Sequence, residues 1–439
     1  MLVEFRVANH RSLRDEQVLT MEAGRVGDET DPRPRRVAGY PEKLLTVAGL
    51  YGANASGKSN VLSALAFMRD AVLMSHRFWS PDEGGSAESF VPRDPFAWGP
   101  KKSDPSLFEV TFLLDQVRYQ YGFRASDEQF VEEWLYAWPS GRKQVWFERD
   151  SHAFTFGENL KGENKVIVEV TRPNALFLSA AVQHKHPQLA PIFAWFRSLE
   201  VINMAERRYS HELPFKIATE FALAELSEFA LAQLLEEDAN QRPLFQEEEL
   251  PRRLLEDFRD FLKQADTGVT DFRVEQKRSG NKQVRFGPRF FLRHKSQSDD
   301  AWLPLREESN GTRTLFHMAL PILRVLQSGG LLLVDELERS LHPKLARKII
   351  DRFNDPVANP KNSQIIFTTH DTNLLGRVIG EPALRRDQVW LTEKDAEGAT
   401  VLYPLTDYKP RKNENLERGY LQGRYGAIPF LNDFLAKVE

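Results

Sequence analysis

Lys58 and Ser59 close the octet Gly52-Ala53-Asn54-Ala55-Ser56-Gly57-Lys58-Ser59, which fits the pattern G-x-x-x-x-G-K-[ST]. Glycines, one cation and one hydroxyl at this spacing suit the holding of a phosphate chain. The glycines let the loop wrap without Cβ clashes, so backbone N–H groups turn inward. Asn54, Ala55, Ser56, Gly57 and Asn60 are the expected lining of that cradle. Lys58 offers a point charge to the β and γ phosphates, and the Ser59 hydroxyl suits a Mg²⁺ ion. A second group stands at Asp335 and Glu336, where the apolar run Leu331-Leu332-Leu333-Val334 ends. Asp335 suits Mg²⁺ through water, and Glu336 suits the polarising of a water that attacks the γ-phosphate. Two acids alone fit a solvated turn as well; their place downstream of a P-loop favours the chemical reading. His370 follows the run Gln364–Thr368 and is placed to hydrogen-bond a γ-phosphate oxygen. Ser309-Asn310-Gly311 opens a helical stretch and offers a hydroxyl, N–H groups and a dipole end to an anion. An ordinary N-cap accounts for those three residues equally well.

These residues need rigid elements to position them. The apolar run Leu44–Leu50 reads as a buried strand before the P-loop, and Val61–Phe67 has the spacing of a helix after it, running to about Met74. The runs 44–50, 331–334 and 364–368 are apolar without alternation, as parallel strands covered on both faces should be. Residues 1–24 read as two short strands around Asn9-His10-Arg11-Ser12, and 75–105 as an irregular surface loop. Period-two patterning from Leu107 to about Val170 predicts antiparallel strands. Residues 187–264 turn helical, 268–295 return to strand character, and a helix over Thr314–Leu326 ends near Gly329-Gly330.

Composition excludes several classes. The net charge of −4 argues against a wholly basic nucleic-acid binder and confines any such role to a local patch. With no cysteine, disulfides, thiolate metal sites and a cysteine nucleophile are excluded. No apolar run approaches the ~20 residues of a membrane span, and the N-terminus has strand alternation rather than a signal-peptide pattern. A cytoplasmic protein with no membrane partner is expected.

The order of these motifs resembles the ATP-binding-cassette ATPases, in the branch that includes the SMC, RecF and double-strand-break-repair proteins. Ser309-Asn310-Gly311 is similar to the cassette signature, although Asn310 replaces a glycine and Thr312 follows Gly311. Ser340-Leu341-His342-Pro343 is similar to the D-loop, and His370 to the switch histidine. Val7–Leu13 is similar to the opening of that branch, where the resemblance implies that Arg11 and Ser12 approach the nucleotide phosphates. A narrower resemblance is to the stand-alone cassette ATPases of phage-defence and abortive-infection operons (RloA-like and AbiL-like), related to the ATPase half of OLD nucleases. Tyr51–Asn60, Thr171–Ser179, Glu308–Leu315, Arg386–Trp390 and Tyr420–Pro429 carry it. It implies ATP and Mg²⁺ as ligands, a head-to-tail homodimer or higher homo-oligomer, and a separate nuclease or toxin effector from a neighbouring gene. The alternative is a RecF-like repair or recombination ATPase that binds DNA.

The expected fold is α/β, a P-loop NTPase of ABC-ATPase type with a split core, an antiparallel β subdomain and a helical insertion. Its expected parts are an N-terminal lobe 1–186, the insertion 187–267, a C-terminal lobe 268–409 and a tail 410–439. The insertion is too short for long coiled-coil arms, because two helices of ~25 residues reach only about 40 Å. It reads as a lid or partner surface. Eight Arg and Lys residues crowd 273–295 with phenylalanines between them. Such a stretch can grip phosphates and stack on bases, while strand alternation would equally send Phe to the core and Arg to solvent. No counterpart of the OLD nuclease domain is expected from the spacing: about fifty residues follow Trp390, and Asp395 and Asp407 do not form a D-x-D pair.

Overall fold

The computed structural model describes residues 1–28, 30–79, 90–202, 249–265, 268–275, 289–378, 380–409 and 414–429. A six-stranded sheet forms the centre, in the order Glu200–Ile202, Leu331–Val334, Gln364–Thr368, Val47–Gly52, Val389–Lys394, Thr400–Pro404. Its first five strands are mutually parallel and the last is antiparallel to its neighbour. Strand Val47–Gly52 therefore lies between two strands that come more than 300 residues later. Split connectivity of this kind matches the expected two-part core.

The unbroken apolar runs have a direct cause. Leu331, Leu333 and Ile366 face a core with the helix Lys58–Phe78, through Val61, Leu62, Leu65 and Met68. Leu332, Val334, Ile365 and Phe367 face the opposite core, with Leu315, Met318 and Ile322 of the helix Asn310–Ser328 and with Ile349 and Phe353 of the helix Pro343–Asn354. Alternate side chains enter two different cores, so neither face is polar.

The seven-stranded antiparallel sheet runs Ala153–Phe156, Gln144–Asp150, Phe130–Trp138, Val117–Ala125, Ser106–Leu114, Leu2–Ala8, Gln17–Thr20. Phe108, Val110, Tyr121 and Phe123 on its inner face close over the P-loop helix. Buried Gln364 joins the two sheets. Its Oε1 accepts from Leu2 N at 2.5 Å, and its Nε2 donates to Leu2 O at 2.9 Å and Leu45 O at 3.0 Å.

Several boundaries differ from expectation. The P-loop strand begins at Val47 rather than Leu44, because Lys43–Leu44 pairs with Arg35–Arg36. The P-loop helix continues to Phe78, and Asn164–Val170 is a helix rather than a strand. The stretch 75–105 is not all surface: Trp79, Val91 and Phe96 are buried. At the start of 187–267 the helical reading holds for Ala190–Arg197 and gives way to a strand at Glu200–Ile202. Helix Ala190–Arg197 packs into the core of the N-terminal lobe through Ile192, Trp195 and Phe196, and Glu200–Ile202 pairs with the acid-bearing strand. The expected helix over Glu212–Glu237 lies outside the described residues, as do Lys277, Arg278, Lys282 and Arg285 of the basic stretch and 410–413 and 430–439 of the tail. No helix among the described residues is long and apolar enough to cross a membrane.

Candidate nucleotide site

Parallel strands Val47–Gly52, Leu331–Val334, Gln364–Thr368 and Val389–Lys394 all end at one edge of the sheet, where open α/β sheets bind ligands. The P-loop leaves the first of these. Gly57 caps the helix at φ +104°, and a Cβ there would collide with Thr400 Oγ1 and come within 2.9 Å of Ser12 Oγ. Gly52 is equally constrained: a Cβ would lie 2.5 Å from Thr392 O and 2.6 Å from Ser56 Oγ. Asn54 and Ala55 are exposed at the loop tip, Ala55 at φ +60°. The lysine is 6% exposed, and its Nζ donates to Gly52 O at 2.8 Å and Ala53 O at 3.0 Å. Burial pushes the Lys58 ammonium down to about 8, against the pull of Asp335, Glu338 and Glu336. A shielded cation that holds only backbone dipoles is suited to an incoming anion.

The acid strand and the histidine strand converge on the same helix start. Ser59 Oγ donates to Asp335 Oδ1 at 2.8 Å, and Thr368 Oγ1 donates to the same oxygen at 2.6 Å. Glu336 N donates to Thr368 Oγ1 at 2.8 Å and Leu337 N to Thr368 O at 3.0 Å. Those two bonds hold Glu336 at φ +51°, a conformation disfavoured for a residue with a Cβ, and leave its side chain exposed. His370 is exposed, and its N–H donates to Glu338 Oε1 at 2.6 Å. Desolvation, then the Lys58 charge, holds its imidazole below the usual histidine range, which favours the neutral ring.

The N-terminal corner closes the other side. Asn60 Nδ2 donates to Ser12 Oγ at 2.6 Å, and Ser12 Oγ shares a 2.7 Å hydrogen bond with Thr400 Oγ1. Arg11 is turned outward onto Asp94, with its N–H on Asp94 O at 2.6 Å and Nε on Oδ2 at 3.1 Å.

The signature residues sit elsewhere. Ser309 caps the helix Asn310–Ser328, and its Oγ accepts from Thr312 N at 3.1 Å. Ser309 and Asn310 are exposed. A Cβ on Gly311 would lie 2.8 Å from Ser340 O, so this glycine lets the helix start abut the D-loop segment of its own chain.

Sequence reasoning brought Lys58, Ser59, Asp335, Glu336, His370, Ser12 and Asn60 forward, and the fold gathers them. It missed Thr368, Thr392, Thr400 and Glu338. Glu338 carried a readable signal, as the third acid of Asp335-Glu336-Leu337-Glu338. In the basic stretch the described residues follow the alternation: Phe272, Phe290 and Leu292 are buried, and Arg273 and Arg293 lie outside against Trp302 and pair with Glu275 and Asp299.

A P-loop strand at the sheet centre, a histidine strand beside it, an acid strand beyond that, and a signature helix packed beneath define an ABC-type P-loop ATPase. The chain belongs to the family described as "AAA domain, putative AbiEii toxin, Type IV TA system", whose model matches residues 47–376. The resemblance to the stand-alone cassette ATPases of defence operons thus holds at the level of family. Septu protein PtuA of Bacillus mycoides (strain KBAB4) is 29% identical over 142 residues, 30% of this chain and 19% of that protein. The chain therefore matches about a fifth of the length of that relative. Among solved structures, the SMC head domain from Thermotoga maritima is 12% identical with a TM-score of 0.37, over 92% of this chain and 98% of that one. An SMC head bound to the C-winged-helix domain of ScpA is 12% identical with a TM-score of 0.45, over 92% and 97%.

Proposed function

We propose that this chain binds ATP with Mg²⁺ at the P-loop and hydrolyses it in sites completed by a second copy, as the ATPase component of an anti-phage defence system. The observation that carries the ATPase reading is the junction at Asp335 Oδ1, where the Ser59 hydroxyl and the Thr368 hydroxyl meet. It puts the two expected Mg²⁺ ligands, Ser59 and Asp335, in direct contact. The ion would supply charge neutralisation across the β and γ phosphates. Lys58 supplies the balancing cation and the Asn54–Asn60 backbone the N–H cradle. Glu336, exposed at the strand end, takes the role of the base that orients the attacking water, and His370 that of a γ-phosphate donor. Ser309, Asn310 and Gly311 complete the site of a partner copy, consistent with the exposure of Ser309 and Asn310.

The defence role is supported by the family and by the similarity to PtuA. A homo-oligomer of the chain would act as sensor or scaffold for a separate nuclease or toxin encoded nearby. Purified protein should hydrolyse ATP. Lys58→Ala should abolish nucleotide binding, whereas Glu336→Gln should bind ATP and turn it over about 10²-fold more slowly or worse. Glu336→Gln protein with near-normal turnover would remove Glu336 from this role. Co-purification with the product of the adjacent gene tests the effector.

A further inference from the structure

The central sheet gives the nucleotide a direction. The groups assigned to the γ-phosphate, Glu336 and His370, follow strands on one side of the P-loop strand. On the other side lies Val389–Lys394, parallel to it, so the turn after Lys394 stands at the same sheet edge as the P-loop. A nucleotide with its phosphates in the loop and its γ end toward His370 must extend its other end over that turn.

Trp98 covers this turn. Its Nε1 donates to Glu397 O at 3.2 Å, and its ring lies 3.0 Å from where a Gly398 Cβ would be. Phe96 is buried and packs against it at 4.5 Å between ring centres. The aromatic pair is tied to the P-loop by a short series of contacts: Asn60 to Ser12, then Arg11 to Asp94, then Phe96 N to Asn9 Oδ1 at 2.9 Å. Yet Trp98 is 55% exposed, whereas tryptophan is on average highly buried. With its N–H spent on Glu397, the ring offers only a π face.

We infer that Trp98, backed by Phe96 with Arg14 over the Phe96 ring, is the stacking platform for the nucleobase, a purine ring that the P-loop motif does not locate. This inference rests on the ATP reading above. A π face reads any flat base, so the platform adds affinity with little discrimination among purines.

Calorimetry with a non-hydrolysable ATP analogue and with inorganic tripolyphosphate tests it on the full chain. Wild-type protein should bind the analogue more tightly than tripolyphosphate. Trp98→Ala should weaken the analogue about 5- to 100-fold, the usual range for a stacked base, and leave tripolyphosphate unchanged. Trp98→Phe should recover most of the loss. Unchanged analogue affinity in Trp98→Ala overturns the platform while leaving the phosphate site intact. Equal weakening of both ligands overturns it too, because the ring would then be supporting the P-loop rather than the base. If wild-type protein binds neither ligand, the ATP reading itself falls and takes the platform with it.

Discussion

The phosphate end and the signature end of this molecule are built in opposite ways. At the phosphate end Lys58, Ser59, Asp335 and Thr368 interlock, and three strands and a helix fix one small volume. At the signature end Ser309 bonds its own helix through Thr312, and Ser309 and Asn310 face solvent. One end is a prepared pocket. The other is an exposed helix start whose cap is satisfied within its own helix, the face that the proposed two-copy site would use.

The largest test of this contrast uses both ends at once. Ser309→Arg should bind ATP but not hydrolyse it, and Lys58→Ala should do neither. Mixed chains should regain part of the activity, because one composite site then carries both defects and the other carries none. Heterodimers confirmed by mass spectrometry yet inactive at every ratio would mean that the two ends do not meet between chains.

A smaller effect is expected within the phosphate end. Glu338 accepts from the His370 backbone N–H, which would make it a positioning residue for the histidine loop in the proposed reaction. Glu338→Ala should lower kcat by about 10-fold, roughly one lost charge-assisted hydrogen bond, with KM for ATP little changed. Glu338→Gln keeps an accepting oxygen and should restore most of kcat. A fall in both variants to the same level would assign the effect to charge rather than to the loop.

The smallest concerns the signature helix itself. Burial, then Arg313, pushes His317 down to about 4. The unfolded chain therefore takes up this proton first as pH falls below 6.5, and the folded state loses stability between 6.5 and 4, by about 2 kcal/mol after allowance for partial exposure. His317→Gln should flatten the Tm profile in that window and leave it unchanged above pH 7. An identical slope in the variant would place the acid sensitivity elsewhere.

The contrast also separates what a sequence discloses. The phosphate end was legible because its chemistry sits in contiguous motifs on strands whose two buried faces leave an unmistakable apolar run. Thr392 and Thr400 were not, because they meet Ser56 and Ser12 across more than 330 residues, and an ordinary strand threonine gives no sign of that. Strand Glu200–Ile202 was missed because three residues carry no period, and a helical neighbour dominates the window. Trp98 stood in a stretch dense in Pro, Gly and Ser that composition assigns to loop. Strands Val269–Glu275 and Arg289–His294 followed their alternation, and the acids beside Arg273 and Arg293 are contacts that only the fold supplies.

The position of the P-loop strand has a consequence for synthesis on the ribosome. Strand Val47–Gly52 needs Gln364–Thr368 on one edge and Val389–Lys394 on the other. Until those residues have emerged, both of its edges are bare, and Leu2 lacks the Gln364 side chain that fastens it. The antiparallel sheet, drawn wholly from residues 2–156, can form early. A nascent or truncated chain can therefore carry the complete P-loop octet and still have no working site. Competence waits on the two strands that flank the P-loop strand, so the octet and the site are separate events in the life of the chain.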